Sequence, residues 1–269
     1  MIAIAHFLAI IFYFGAAALA AVPFARPVNA PVRGVASALA LGIAAHITAL
    51  LLFGFQADAV PMTGLGPALS FAGLLLAITL LIAELFARDV SLTLIAAPLA
   101  AIPTLFANVI GLSPGASVER GARGFWLFSH IGLSFLGMAA FATAAAAGTM
   151  YLVQRHELKS RRFGALFRFF PPLATLDRVN HLAAIAGWLG LTLGVALATT
   201  YSVAYQQMNL PQLVWGSSAW LAVTCIALGR VAGGWQAHRA AKYSSAAFVV
   251  VLLLYVAFRF ADPAAGHFL

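Results

Sequence analysis

The chain has 269 residues, of which 63% are hydrophobic and 8% charged. A soluble domain carries roughly 25% charged residues, so a soluble fold is excluded and an integral membrane protein is expected. The formal charge of +8 is no sign of a nucleic-acid partner, because Lys and Arg gather in cytoplasmic loops of membrane proteins for reasons of topology.

The apolar runs are continuous over about 20 residues, the length a helix needs to cross the hydrocarbon. They lack the alternation of transmembrane strands. An all-α, polytopic helical bundle is predicted, forming one membrane domain over residues 1–269. The first span covers residues 2–22. Ala18-Leu19-Ala20 resembles a signal-peptidase site, yet no Lys or Arg precedes the apolar run. A signal peptide needs a positive start, so a retained first helix is expected. Further spans are predicted at 35–55, 66–85 and 91–110, the last kinked by Pro98 and Pro103. Such prolines are tolerated where neighbouring helices satisfy the freed carbonyls. The fifth and central span begins at Gly124 and runs to about 154; it carries His130 and an Ala/Gly/Ser-rich middle that lets other helices pack close. Residues 155–178 form the most basic segment, with an aromatic piece at 163–170 expected to lie along the membrane surface. Spans at 181–205, 213–228 and 244–260 complete eight helices.

Only Arg120, Arg123 and Arg259 of the 15 Lys and Arg fall on the side opposite the loops after the first, third, fifth and seventh spans. The positive-inside rule then places both termini outside. The single cysteine, Cys225, can form neither an intramolecular disulfide nor a CxxC relay.

Topology sorts the seven histidines. His156 and His238 fall in basic loops, and His181 is expected at the start of the sixth helix. His6, His46, His130 and His267 lie towards the outside. An ionisable side chain at membrane depth is costly and marks a site, or else it is a neutral imidazole bonded across helices. Imidazole is also the commonest axial ligand of haem iron, and two helices can ligate a haem from both faces. No HxxxH or HxxEH spacing supports a zinc protease. Glu84 and Asp89, flanking Arg88, read as interfacial pairs, and no acid lies near the middle of a span, which argues against an ion-coupled transporter. Trp126 and Trp215 start the fifth and seventh helices at the outer interface. They read as an aromatic belt or as a flat wall against a porphyrin.

The stretch Trp126-Leu-Phe-Ser-His130-Ile-Gly-Leu-Ser134-Phe-Leu-Gly resembles the histidine-bearing helix of the cytochrome c assembly protein family, which includes the CcsA and CcmC proteins. Pro171-Pro-Leu-Ala-Thr-Leu-Asp177-Arg178, Gly187-Trp-Leu-Gly-Leu-Thr192-Leu-Gly and Gly233-Gly-Trp235-Gln-Ala-His-Arg239-Ala-Ala resemble segments of its HemX/YpjD-like branch, in the same order. The resemblance implies that His130 is an axial haem ligand, with His46 or His267 as its partner and Trp126 and Trp215 walling the pocket. Where the family carries a Trp-rich WGxxWxWD motif, this chain has Trp215-Gly-Ser-Ser-Ala-Trp220, and Gly229-Arg230 stand where the family has a histidine. These departures speak against a second, inner haem site.

The expected function is thus that of a haem-binding accessory protein of a bacterial inner membrane. It would serve cytochrome c assembly or control of haem biosynthesis, without catalytic turnover, with haem, lipid and a membrane protein as partners. A small-molecule or haem transporter is the second reading, and a structural partner without haem the third. The third predicts that each membrane histidine bonds to a neighbouring hydroxyl or carbonyl.

Overall fold

The structure, a computed structural model, describes residues 1–25, 28, 30–57, 60–87, 89–113, 122–161, 169–205 and 210–261. Among these residues there are helices and no strands: α1 (Ile2–Ala20), the short α2 (Val22–Ala25), α3 (Val32–Ala57), α4 (Leu65–Ala87), α5 (Thr93–Ile110), α6 (Ala122–Ser160), α7 (Leu173–Tyr205), α8 (Leu210–Val231) and α9 (Ala237–Ala261). Eight are long and apolar enough to cross a membrane, so the protein is a multi-pass helical membrane protein.

Three helices outrun their predicted spans. α6 continues to Ser160, α7 starts at Leu173 and α9 at Ala237. The apolar run measures the hydrocarbon, whereas i→i−4 hydrogen bonding carries on through charged residues once the helix enters the interface. His181 therefore stands about two turns inside α7 instead of opening it. The surface piece predicted at 163–170 falls mostly outside the described residues.

α6 is the centre of the bundle: 56% of its most apolar window is buried, against 39% or less for every other span. α1, α3, α4 and α5 pack together on one side of it, and α7, α8 and α9 on the other. Each outer helix buries one stripe. On α1 this is His6, Ala9, Ile10, Tyr13, Ala16, Ala17 and Ala20, the spacing of one helical face.

The α6–α7 contact is the most extensive, and it is made by backbone. A Cβ on Gly190 would stand 2.8 Å from the Gly137 Cα, and one on Gly187 would stand 3.1 Å from the Gly137 carbonyl oxygen. Small residues at this spacing let membrane helices approach closely, where van der Waals contact replaces the missing hydrophobic drive. Lower on the same seam the buried Asn180 of α7 donates to the Ala144 carbonyl of α6 (2.7 Å) and to Ser244 Oγ of α9 (2.7 Å), tying three helices. α4 joins α6 through Thr79 and Thr143 (3.0 Å between hydroxyls) and the edge-on rings of Phe71 and Phe135.

Glu84, expected in an interfacial pair around Arg88, makes a contact that the sequence did not announce. It is buried at 4% exposure, and its Oε1 accepts from the Thr93 backbone N–H (2.8 Å) and from the Thr93 hydroxyl. The N–H groups at a helix start lack partners inside the helix. Glu84 supplies one from α4, which fixes where α5 begins. Arg88 itself lies outside the described residues, and Asp89 accepts from the Ser91 N–H (2.8 Å) within the turn.

Gly190→Val should separate α6 from α7 and lower the melting temperature in detergent, at a cost of about 1–3 kcal/mol for overpacking. Gly216→Val is the control, since a Cβ there meets nothing within 4 Å. Its melting temperature should stay close to that of the parent.

Candidate functional site

Two histidine sites lie on either side of the α4–α6 contact. The first joins α1, α3 and α4. His6 and His46 are both fully buried, and both present Nε2 to one hydroxyl, Ser70 Oγ, at 2.7 and 2.8 Å. Tyr13 OH lies 3.1 Å from His46 Nδ1. The two imidazole rings stand 5.0 Å apart between centroids, tilted by 58°. His46 therefore has both ring nitrogens engaged. His6 Nδ1 has no hydrogen-bond partner among the described residues, though the Asn108 side chain of α5 interacts with this ring. The local sequence explains the placement. His6 and Tyr13 share the buried face of α1, and Gly42, one turn before His46, admits the Tyr13 ring so closely that a Cβ there would stand 2.7 Å from it.

The second site is on the α6–α7 seam. His130 Nδ1 is 2.8 Å from the Gly194 carbonyl oxygen, to which it donates, and 3.5 Å from Ser134 Oγ. Gly194 lacks the side chain that would fill this space, since a Cβ there would come 3.3 Å from the Ser134 backbone nitrogen. One turn earlier on the same face Trp126 Nε1 donates to the Leu197 carbonyl (3.1 Å), and its ring meets Tyr205 edge-on. His130 is half-buried, and its Nε2 makes no hydrogen bond among the described residues. A ring held through Nδ1–H on a backbone carbonyl has its tautomer and direction fixed, the arrangement that orients metal-ligating histidines.

The predicted residues thus separate. Trp126 and His130 share one face of α6. His46 is brought to His6, and no hydrogen bond or ring contact joins it to His130. Trp215 faces the last helix, where Nε1 donates to the Val251 carbonyl (3.2 Å) and the ring packs on Tyr255 at 5.3 Å. Its hydrogen bond and ring contact are both to α9, and neither involves Trp126. His267 lies outside the described residues. The two histidine sites are offset along the bundle, because Phe71 follows Ser70 and meets Phe135, which is five residues along α6 from His130. That is about 7 Å of helix axis.

The sites differ in their fitness for haem. Two imidazoles that ligate one metal ion need their nitrogens about 4 Å apart with the line between them open. At the buried site both Nε2 atoms are taken by the Ser70 hydroxyl, and every side chain of the cluster is fully enclosed. At His130 the Nε2, which makes no hydrogen bond among the described residues, and the neighbouring Trp126 fit haem.

A long-helix membrane bundle with an anchored, half-exposed histidine on its central helix defines the class. The description "Cytochrome C assembly protein" matches residues 39–263, and the chain belongs to that family. The chain is also 27% identical over 161 residues to the "Uncharacterized 28.8 kDa protein in nifR3-like 5'region" of Azospirillum brasilense, a match that covers 58% of this chain and 58% of that protein. No solved structure matches the chain.

Sequence reasoning set His6, His46 and His130 at similar depth and left Ser70 and Tyr13 unnoticed. The signal was present: His6 and Tyr13 are seven residues apart, two helical turns on one face. Ser70→Ala should leave two buried imidazole nitrogens without their partner. It should destabilise the protein by about 1–3 kcal/mol, read as a lower melting temperature in detergent. Ser134→Ala removes only the 3.5 Å contact to His130 and should melt near the parent temperature.

Proposed function

We propose that the protein is a haem-binding accessory protein of cytochrome c assembly or of haem-biosynthesis control, without catalytic turnover of its own, in a bacterial inner membrane. The observation that carries this reading is the His130 imidazole, fixed through Nδ1 on the Gly194 carbonyl, with no hydrogen bond to Nε2 among the described residues. Membership of the cytochrome C assembly protein family supports it. Haem, when bound, supplies an iron whose axial positions imidazoles fill. The residues of this chain do the rest. His130 presents a lone pair in a fixed direction, and Trp126 offers an aromatic face one turn away. The engagement of both His46 nitrogens favours His267 over His46 as the second ligand, and it leaves the inner cluster a bundling role. Haem and a membrane protein of the same pathway are the partners this reading requires, and the HemX/YpjD-like branch is the one it resembles.

A second reading, a structural partner that binds no haem, is favoured by a specific observation: His6, His46 and His130 each bond to a hydroxyl or a carbonyl.

The visible spectrum of the detergent-purified protein, oxidised and reduced, separates the two. Under the haem reading the parent shows a Soret band that His130→Ala loses and His46→Ala keeps, while His267→Ala shifts it towards a five-coordinate form. A clean preparation with no Soret band, and no uptake of added hemin, would sink the haem reading and leave the structural one.

A further inference from the structure

We propose that the groove between α8 and α9 holds one acyl chain of an anionic phospholipid whose phosphate pairs with Arg239. The groove has a volume of about 350 Å³ and an almost wholly apolar lining. Ser218, Ala222, Ala246 and Ala247 form much of its floor, and their small side chains leave the space open between helices that are otherwise in contact. Along α9 it runs from Tyr243 to Leu254, eleven residues or about 16 Å of axis. One leaflet contributes about half of a hydrocarbon core roughly 30 Å thick. The groove is therefore one leaflet deep, the reach of a single acyl chain.

Its mouth has the chemistry of a headgroup site. The hairpin between α8 and α9 turns at Gly233 and Gly234, the latter at φ 60°. It folds the Trp235 ring over Gly229, where a Cβ would meet the ring at 2.5 Å. Trp235 and Tyr243 both line the groove, and the Arg239 guanidinium lies over them, 4.7 and 5.8 Å from their ring centres. The stacking holds the cation at the groove's end. Its neighbour Arg230 is already committed to Asp177 at 2.8 Å, while Arg239 pairs with no carboxylate among the described residues. The charges of Arg155, Lys159 and Lys242 are felt at His238, the residue before Arg239, and add to the positive field at the mouth. A positive mouth attracts an anionic headgroup, and a zwitterionic lipid gains less from it. The groove shares no residue with the histidine sites and stands apart from the haem reading.

Native mass spectrometry of the full-length protein in a nonionic detergent tests this, with phosphatidylglycerol or phosphatidylcholine of identical chains as the added lipid. One phosphatidylglycerol should be retained per protein, at least fivefold tighter than phosphatidylcholine. Arg239→Gln should remove that preference. Ala246→Trp fills the groove from an exposed position and should weaken both lipids at least fivefold, with the melting temperature in detergent showing that each variant remains folded. Equal retention of the two lipids by the parent would overturn the proposal, as would phosphatidylglycerol binding unchanged in both variants. A dimer mass that Ala246→Trp dissociates would also overturn it, because the occupant would then be a second copy of the chain.

Discussion

The Gly137–Gly190 crossing of α6 and α7, where a side chain on Gly190 would collide with backbone, sets the geometry on which the rest of the bundle depends. Lipid tails are as apolar as leucine, so helices in a bilayer gain little from hiding apolar surface from one another. What remains is close contact and the bonds that close contact permits. The Gly194 carbonyl is within reach of His130 because the two backbones are this near, and the Leu197 carbonyl meets Trp126 by the same approach. Further along, Asn180 extends the seam to α9. Both the candidate ligand and the lock on the third helix are consequences of one stretch of missing side chains.

Much of the fold was legible in the sequence, because a bilayer imposes a length and a polarity on each helix. The eight spans and the central place of α6 followed from apolar runs alone. Their ends did not, since a helix such as α9 begins at Ala237 in basic, polar sequence that hydropathy cannot distinguish from loop. The sites were half legible. His130 stood out because of its depth in an apolar span and because a resemblance surrounded it; its bond to the Gly194 carbonyl was not readable. The pairing of His46 was not readable. It depends on the rotation of α1, α3 and α4 about their own axes, and an uncharged apolar stretch does little to specify which face turns inward. Glu84 shows the same limit: nothing in its local sequence announces that its carboxylate accepts from the start of the next helix.

The two histidine sites illustrate different ways of housing an imidazole in a membrane. At the buried cluster every side chain is enclosed and makes at least one bond to another, which suits holding three helices in register. On the α6–α7 seam the bond goes to a backbone carbonyl that cannot rotate, and the other ring nitrogen makes no hydrogen bond among the described residues. Rigid support on one side and an open nitrogen on the other favour binding over bundling. On the function proposed above, haem is the ligand that such a nitrogen would take.

The shared hydroxyl of Ser70 has a further consequence. It has a single proton to give and two imidazoles beside it, and a neutral imidazole carries one donor and one acceptor. When Ser70 gives that proton to His6, His46 donates to Ser70 and receives from Tyr13. When the hydroxyl turns to His46, every bond from His6 to Tyr13 reverses with it. The four side chains thus form a directed chain with two opposite polarities, and neither ring can exchange its tautomer alone. Residues 64 positions apart in sequence are coupled by the orientation of one O–H bond.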